Sequence, residues 1–175
     1  KWFAILIVIF LLLFGCNMQS NENNNALMND NNINDTSGVP DDYVDINKIN
    51  VDLTADANSG HVQLVVSLTN YIEHPAKFTF SNGQVFEIEV KGEDETIFRE
   101  FYIDEALSKE GNEVILQQGE RKSWTTSWNY NNDGNDRVSE GVYDISVYLL
   151  PFQISNMEVN DSLFVSSTTV EVPKE

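Results

Sequence analysis

Short segments of alternating apolar and polar residues recur about every 8 to 12 positions, turn-forming clusters separate them, and almost no run keeps a helical period. Together these three observations predict an all-β chain, an immunoglobulin-like antiparallel β-sandwich of about eight strands. Each element has its own justification.

Trp2 to Phe14 is an unbroken apolar run of thirteen residues between Lys1 and Gly15-Cys16. That is shorter than the roughly 20 residues a membrane-spanning helix needs and fits the apolar region of a signal peptide. Leu13-Phe14-Gly15-Cys16 resembles the lipobox of bacterial lipoproteins, although Phe14 is bulkier than the residue usual there. The resemblance implies lipidation at Cys16, which is the single cysteine and so has no internal disulfide partner. The alternative is an ordinary secretory signal or uncleaved anchor with an incidental cysteine. Asn17 to Asp42 is rich in Asn and acid and poor in bulky apolar residues, so burial cannot offset its ordering entropy and a flexible tether is expected. The expected organisation is a lipoprotein signal peptide over 1–15, a tether over 16–42 and the sandwich over 43–175. The expected location is the extracytoplasmic face of a bacterial cell membrane, reached through a lipid anchor on Cys16.

Ile49, Val51, Leu53 and Ala55 alternate with polar residues and predict a first strand, ended by Asn58-Ser59-Gly60. Val62, Leu64, Val66 and Leu68 share one face of a second. Ala76, Phe78 and Phe80, then Phe86, Ile88 and Val90, mark two further strands around Ser81-Asn82-Gly83-Gln84. Asn-Gly readily takes the positive φ angles of a type I′ turn, so these two strands are expected to be antiparallel neighbours. Thr96–Ile103 is apolar on both faces and reads as a strand or twisted edge. A helical turn is expected from Asp104 to near Gly111. Val114–Gln118 is a short strand. In Glu120–Trp128 the alternation turns Trp124 and Trp128 inward. Val142–Leu150 sets Tyr143, Ile145, Val147 and Leu149 on one face, and Ser162–Val172 is the last strand.

The net charge of −18, from 10 basic and 28 acidic residues, excludes a Lys/Arg face for nucleic acid or for anionic lipid. No Gly-x-Ser-x-Gly elbow, phosphate loop or Cys/His metal spacing is present, and the two histidines, His61 and His74, stand apart in the sequence. The reading is therefore a non-enzyme with no cofactor, no catalytic residue and no small-molecule substrate. Asn129, Asn131, Asp133 and Glu140, with Gly134, match the oxygen spacing of a calcium loop, but Asn replaces the usual first Asp and strands flank the segment. A polar hairpin loop explains the same residues. Two basic side chains on expected loops, Lys109 and Arg137, are candidates for entering a protease pocket; solvated surface charge is the alternative.

Leu68-Thr69-Asn70, Pro75, Phe78-x-Phe80, Ser81-x-Gly83-Gln84 with Phe86, Gln118-Gly119-Glu120, Trp124, Trp128 and Gly141-x-Tyr143 occur in an order that resembles the BsuPI family, the bacterial intracellular proteinase inhibitors. The resemblance implies an immunoglobulin-like sandwich and, beyond it, a protein partner such as a subtilisin-like serine protease. Glu87, Ile88 and the segment after Gly92 depart from the family pattern. Most of the motif has architectural reasons: Asn82-Gly83 and Gly119-Glu120 make turns, Phe80, Phe86, Trp128 and Tyr143 fill a core, and Gly141 starts a strand where a side chain would crowd. The other reading is a non-inhibitory cell-surface accessory or adhesion module on the same sandwich.

Overall fold

The computed structural model describes residues 43–93, 95–160 and 163–174, and the lipidation candidate Cys16, the signal segment and the tether lie outside them. A 3-10 turn at Ile46–Lys48 leads into β1 (Ile49–Ala57) and β2 (Val62–Asn70), followed by β3 (Ala76–Phe80), β4 (Gln84–Gly92) and β5 (Glu95–Ile103). The helix α1 (Glu105–Glu110) follows, then β6 (Glu113–Leu116), β7 (Arg121–Trp128), β8 (Gly141–Leu149), β9 (Pro151–Ile154), β10 (Met157–Glu158) and β11 (Phe164–Val172). The strands form three antiparallel sheets, ordered β1-β2-β7, β10-β9-β3-β6 and β11-β8-β4-β5. The fold is an all-β sandwich, as the alternation predicts. Among the described residues it has eleven strands rather than about eight, because Pro151–Ile154 and Met157–Glu158 are too short to carry a period of their own.

The core follows the apolar phase of each strand. Val62, Leu64, Val66 and Leu68 of β2 are fully buried, as are Phe78 and Phe80 of β3, Phe86 and Val90 of β4, and Ile145, Val147 and Leu149 of β8. Both indoles of β7 face inward. Trp124 meets Phe80 and Phe86 edge-on at centroid distances of 6.4 Å, and Trp128 packs against Tyr130 and Tyr143 at 5.4 and 5.7 Å. These edge contacts are the favoured geometry for aromatic quadrupoles. Tyr143 is half-buried at the margin rather than inside. β1 and β11 meet at the far side, where the Leu53 N–H donates to Ser166 Oγ at 3.1 Å.

The expected pairing of β3 with β4 does not form. The turn itself is the one expected, with Asn82 at φ 52°, Gly83 at φ 72° and the Gln84 N–H on the Ser81 carbonyl at 2.9 Å. Beyond the single Ser81–Gln84 bridge the two strands diverge into different sheets, β3 pairing with β6 and β9, and β4 with β5 and β8. The physical reason lies at the end of the turn: Val85 and Phe86 are consecutive and both buried, which breaks simple alternation, and the β4–β5 register shifts there. Gly83 is needed twice, since a Cβ there would also lie 2.6 Å from the Asp104 carbonyl and 2.7 Å from Ser108 Cβ. At Gly141 a Cβ would meet only ordinary contact, 3.8 Å from Tyr143, so crowding is not its reason; the crowded glycine is Gly92, 2.7 Å from the Tyr143 ring.

Candidate functional site

Cross-strand register builds the outer face of the β11-β8-β4-β5 sheet in rows. One row is Val165, Tyr148, Glu87 and Phe101, the next Ser167, Ser146, Glu89 and Arg99. Opposed residues share a face, so the side chains of each row are cross-strand neighbours.

The second row is an ionic knot. Glu89 is buried, yet its carboxylate accepts hydrogen bonds from Arg99 Nη2, Thr96 Oγ1 (2.9 Å) and Tyr148 Oη (2.9 Å), with Lys91 Nζ at 3.1 Å. Burial by itself pushes this carboxyl up; the donors from Arg99, Thr96, Lys91 and Tyr148 together outweigh it and hold the group down at about 2. The same contact, with burial, pushes the Tyr148 phenol up. Arg99 reaches a second acid through Nε, 2.9 Å from Glu87 Oε1. The arrangement fixes the edge strand β5 to β4 and β8 and makes the sheet face rigid.

Above this knot the face opens into a groove of about 560 Å³. Phe101 and Phe152 stand on it about half exposed, at 51% and 47%, and Leu150 lies between polar groups from Ser81, Gln84, Glu87, Arg99 and Tyr148. Apolar walls with a few fixed polar groups are what a binding site for a protruding side chain requires. The sequence hid this site. Phe101 falls in the segment apolar on both faces, Phe152 in a strand too short to read, and the Glu89–Arg99 pairing depends on a register no local pattern reveals.

The candidates named from the sequence lie elsewhere. Lys109 sits on α1, well exposed, and its Nζ is 3.5 Å from Glu105. Arg137 is half-buried, with its guanidinium 5.1 Å from the Tyr130 ring centroid and Nη2 on the Pro173 carbonyl at 3.4 Å. Of the calcium-spaced residues, Asn131 Nδ2 donates to Asn135 Oδ1 at 3.1 Å, and Asp133 Oδ1 accepts the Arg99 N–H at 3.0 Å. Asn129 and Glu140 are exposed at opposite ends of that loop. Among the described residues no three His, Cys, Asp or Glu side chains converge as a metal site. His61 contacts Asn58 and His74 contacts the Tyr43 carbonyl, so the two rings occupy separate loops.

Two of the motif pieces that carry the family resemblance, Asn70 and Gly119-Glu120, meet. Asn70 is fully buried and donates from Nδ2 to the His74 and Leu116 carbonyls at 3.0 and 2.9 Å, while its Oδ1 accepts the Ile72 N–H at 2.8 Å. Its backbone carbonyl accepts the Gly119 N–H, and its N–H donates to the Glu120 carbonyl. Asn70 and Gly119-Glu120 are thus one joint tying β2 to the turn before β7.

Comparison with known proteins agrees with this pattern. No curated protein matches the chain. Among solved structures, a β-glucosidase from Kluyveromyces marxianus is 15% identical with a TM-score of 0.41, over 72% of this chain and 14% of that one. A penta-heme cytochrome c552 from Thermochromatium tepidum is 12% identical (TM-score 0.39, 71% and 40% covered), and Spo0M, a sporulation control protein from Bacillus subtilis, 11% identical (0.36, 71% and 48%). The chain covers less than half of each, and no inference passes from them to it. The family model described as BsuPI, intracellular proteinase inhibitor, matches residues 49–152, which is more than half of the chain. The joint at Asn70, the turn at Gly83 and the inward indoles all fall inside that span, and the chain belongs to the BsuPI family of intracellular proteinase inhibitors.

Proposed function

We propose that this chain is a proteinase-inhibitor-type binding domain that holds a subtilisin-like serine protease against the outer face of the β11-β8-β4-β5 sheet, and that lipid on Cys16 anchors it to the extracytoplasmic face of a bacterial membrane. The observation that carries the binding reading is the groove between Phe101 and Phe152, two half-exposed aromatics, the first on β5, which the Glu89 knot ties to β4 and β8, and the second on β9, which pairs with β3. Aromatic side chains on a rigid support bind with little ordering cost. Lys109 and Arg137, by contrast, already contact Glu105 and Tyr130, which favours a face over a basic finger as the contact.

The test mixes the full chain with a panel of subtilisin-like proteases and follows hydrolysis of a peptide substrate. Stoichiometric loss of activity is expected, and F101A and F152A each weaken it by about tenfold or more. Inhibition that survives both substitutions removes the groove as the contact. Unchanged hydrolysis with slow digestion of the chain favours the accessory or adhesion reading, in which the same groove holds a non-protease partner. For the anchor, the chain expressed with its signal segment is expected to enter the detergent phase on Triton X-114 partitioning and C16S to stay in the aqueous phase; equal partitioning rejects lipidation.

A further inference from the structure

We propose that the free edge of β5 at Phe101 receives an extended segment of a partner protein as an added strand, one that alternates basic and apolar side chains. β5 is the outermost strand of its sheet. The Arg99 N–H leaves the sheet for Asp133 Oδ1 at 3.0 Å, and the Asp133 N–H donates to the Ile97 carbonyl at 3.0 Å. One residue of the β7–β8 loop thereby satisfies an outward donor and an outward acceptor, as a residue of a neighbouring strand would.

That contact also fixes the phase of the edge. With the Arg99 N–H turned outward, Glu89–Arg99 is a non-hydrogen-bonded pair. The register runs unbroken to Glu87–Phe101, two residues on, so that pair is of the same kind. The Phe101 N–H and C=O therefore point away from β4, and among the described residues no loop or side-chain group takes them. Edge strands are ordinarily covered or blunted. Here the Asp133 cover ends at Arg99, and Phe101 stands half exposed beyond it.

The chemistry of the occupant follows from the two faces of that edge. On the outer face a strand residue opposite Phe101 lies against its ring, which suits an apolar side chain. On the other face the neighbours lie against Glu100, which is exposed. The nearby cations Arg99 and Lys91 are already held by Glu87 and Glu89, so Glu100 attracts a basic residue. A second copy fits poorly, since antiparallel pairing about Phe101 would set two Glu100 carboxylates diagonally across the seam of two chains of net charge −18. Backbone pairing for affinity with side chains for selectivity is the general mode of strand addition.

This inference stands on edge geometry and is independent of whether the partner is a protease, so the inhibition assay and the following one can fail separately. The full chain is titrated with acetyl-Lys-Val-Lys-Val-Lys-amide and followed by amide NMR. Shifts centred on Glu100–Ile103 are expected. Methylating the backbone nitrogen of a valine, whose N–H faces β5, weakens binding about tenfold, while methylating the central lysine nitrogen, which faces away, leaves it unchanged. Glu100→Lys, a change at an exposed side chain, shifts preference to the corresponding Glu-Val peptide. Absence of binding at about 1 mM peptide, equal loss from both methylations, shifts centred on Phe152, or self-association that the peptide does not compete with each overturn the proposal.

Discussion

Replacing Glu89 with glutamine keeps the shape of the side chain and removes the charge that four donors surround. The magnitude follows from the displacement of its carboxyl from 4.5 to about 2. At 1.36 kcal/mol per unit this sets a ceiling of roughly 3 kcal/mol on what the charge contributes to folding. Arg99 and Lys91 are about half exposed, at 53% and 43% of their side chains, so solvent screens part of this and about 2 kcal/mol is expected at neutral pH. The sign is fixed by the direction: a carboxyl lower in the folded chain than in the unfolded one stabilises fully above pH 4.5, and that stability is lost as pH falls toward 2. Urea unfolding of wild type and E89Q, followed by the fluorescence of the buried Trp124 and Trp128, measures the difference at each pH, and other acids cancel in the comparison. The gap is expected to be about 2 kcal/mol at pH 7 and to close between pH 5 and pH 2. A gap of the same size across that range would mean that packing, not charge, holds β5, and the rigidity argued for the groove would lose its basis.

Two further substitutions probe the framework. Gly83→Ala forces an L side chain into a positive φ and against the Asp104 carbonyl 2.6 Å away, so a loss of at least about 2 kcal/mol is expected by urea unfolding; a neutral result would show that the turn relaxes freely. Asn70→Ala removes three side-chain hydrogen bonds in a fully buried site and should cost about 3 kcal/mol, with hydrogen exchange at Ile72 and Gly119 accelerating more than exchange in β8; uniform acceleration would deny Asn70 a local role.

What could be read from the sequence was local periodicity. Val62 to Leu68 and Tyr143 to Leu149 declare one buried face each, and Asp104 and Gly111 announce the caps of α1, where Asp104 Oδ1 accepts from Ala106 and Leu107. What could not be read was partnership. Asn82-Gly83 specifies the turn correctly yet says nothing of where the flanking strands go, because the consecutive burial of Val85 and Phe86 just after the turn, with the register shift there, decides that. The groove suffered in the same way. Glu87 and Glu89 look alike in an alternating strand, and only register distinguishes Glu89, enclosed by Tyr148, Thr96 and Arg99. Lys109 and Arg137 were conspicuous as basic residues on expected loops, a property that does not reveal their contacts with Glu105 and Tyr130.

The meeting of β1 with β11 bears on how the chain reaches its fold. Closure joins a strand beginning at Ile49 to one ending at Val172, so the last side of the sandwich cannot form until nearly the whole chain is present. Long-range closure of this kind slows folding. The span matched by the family ends at residue 152, before Phe164–Val172, yet that strand pairs with β8 over nine positions. A chain cut at that boundary would leave β8 as a raw edge and expose the flank of its buried row Ile145, Val147 and Leu149, an invitation to intermolecular pairing. The cooperative unit therefore extends beyond the stretch by which the family is known, and the last strand acts as a latch.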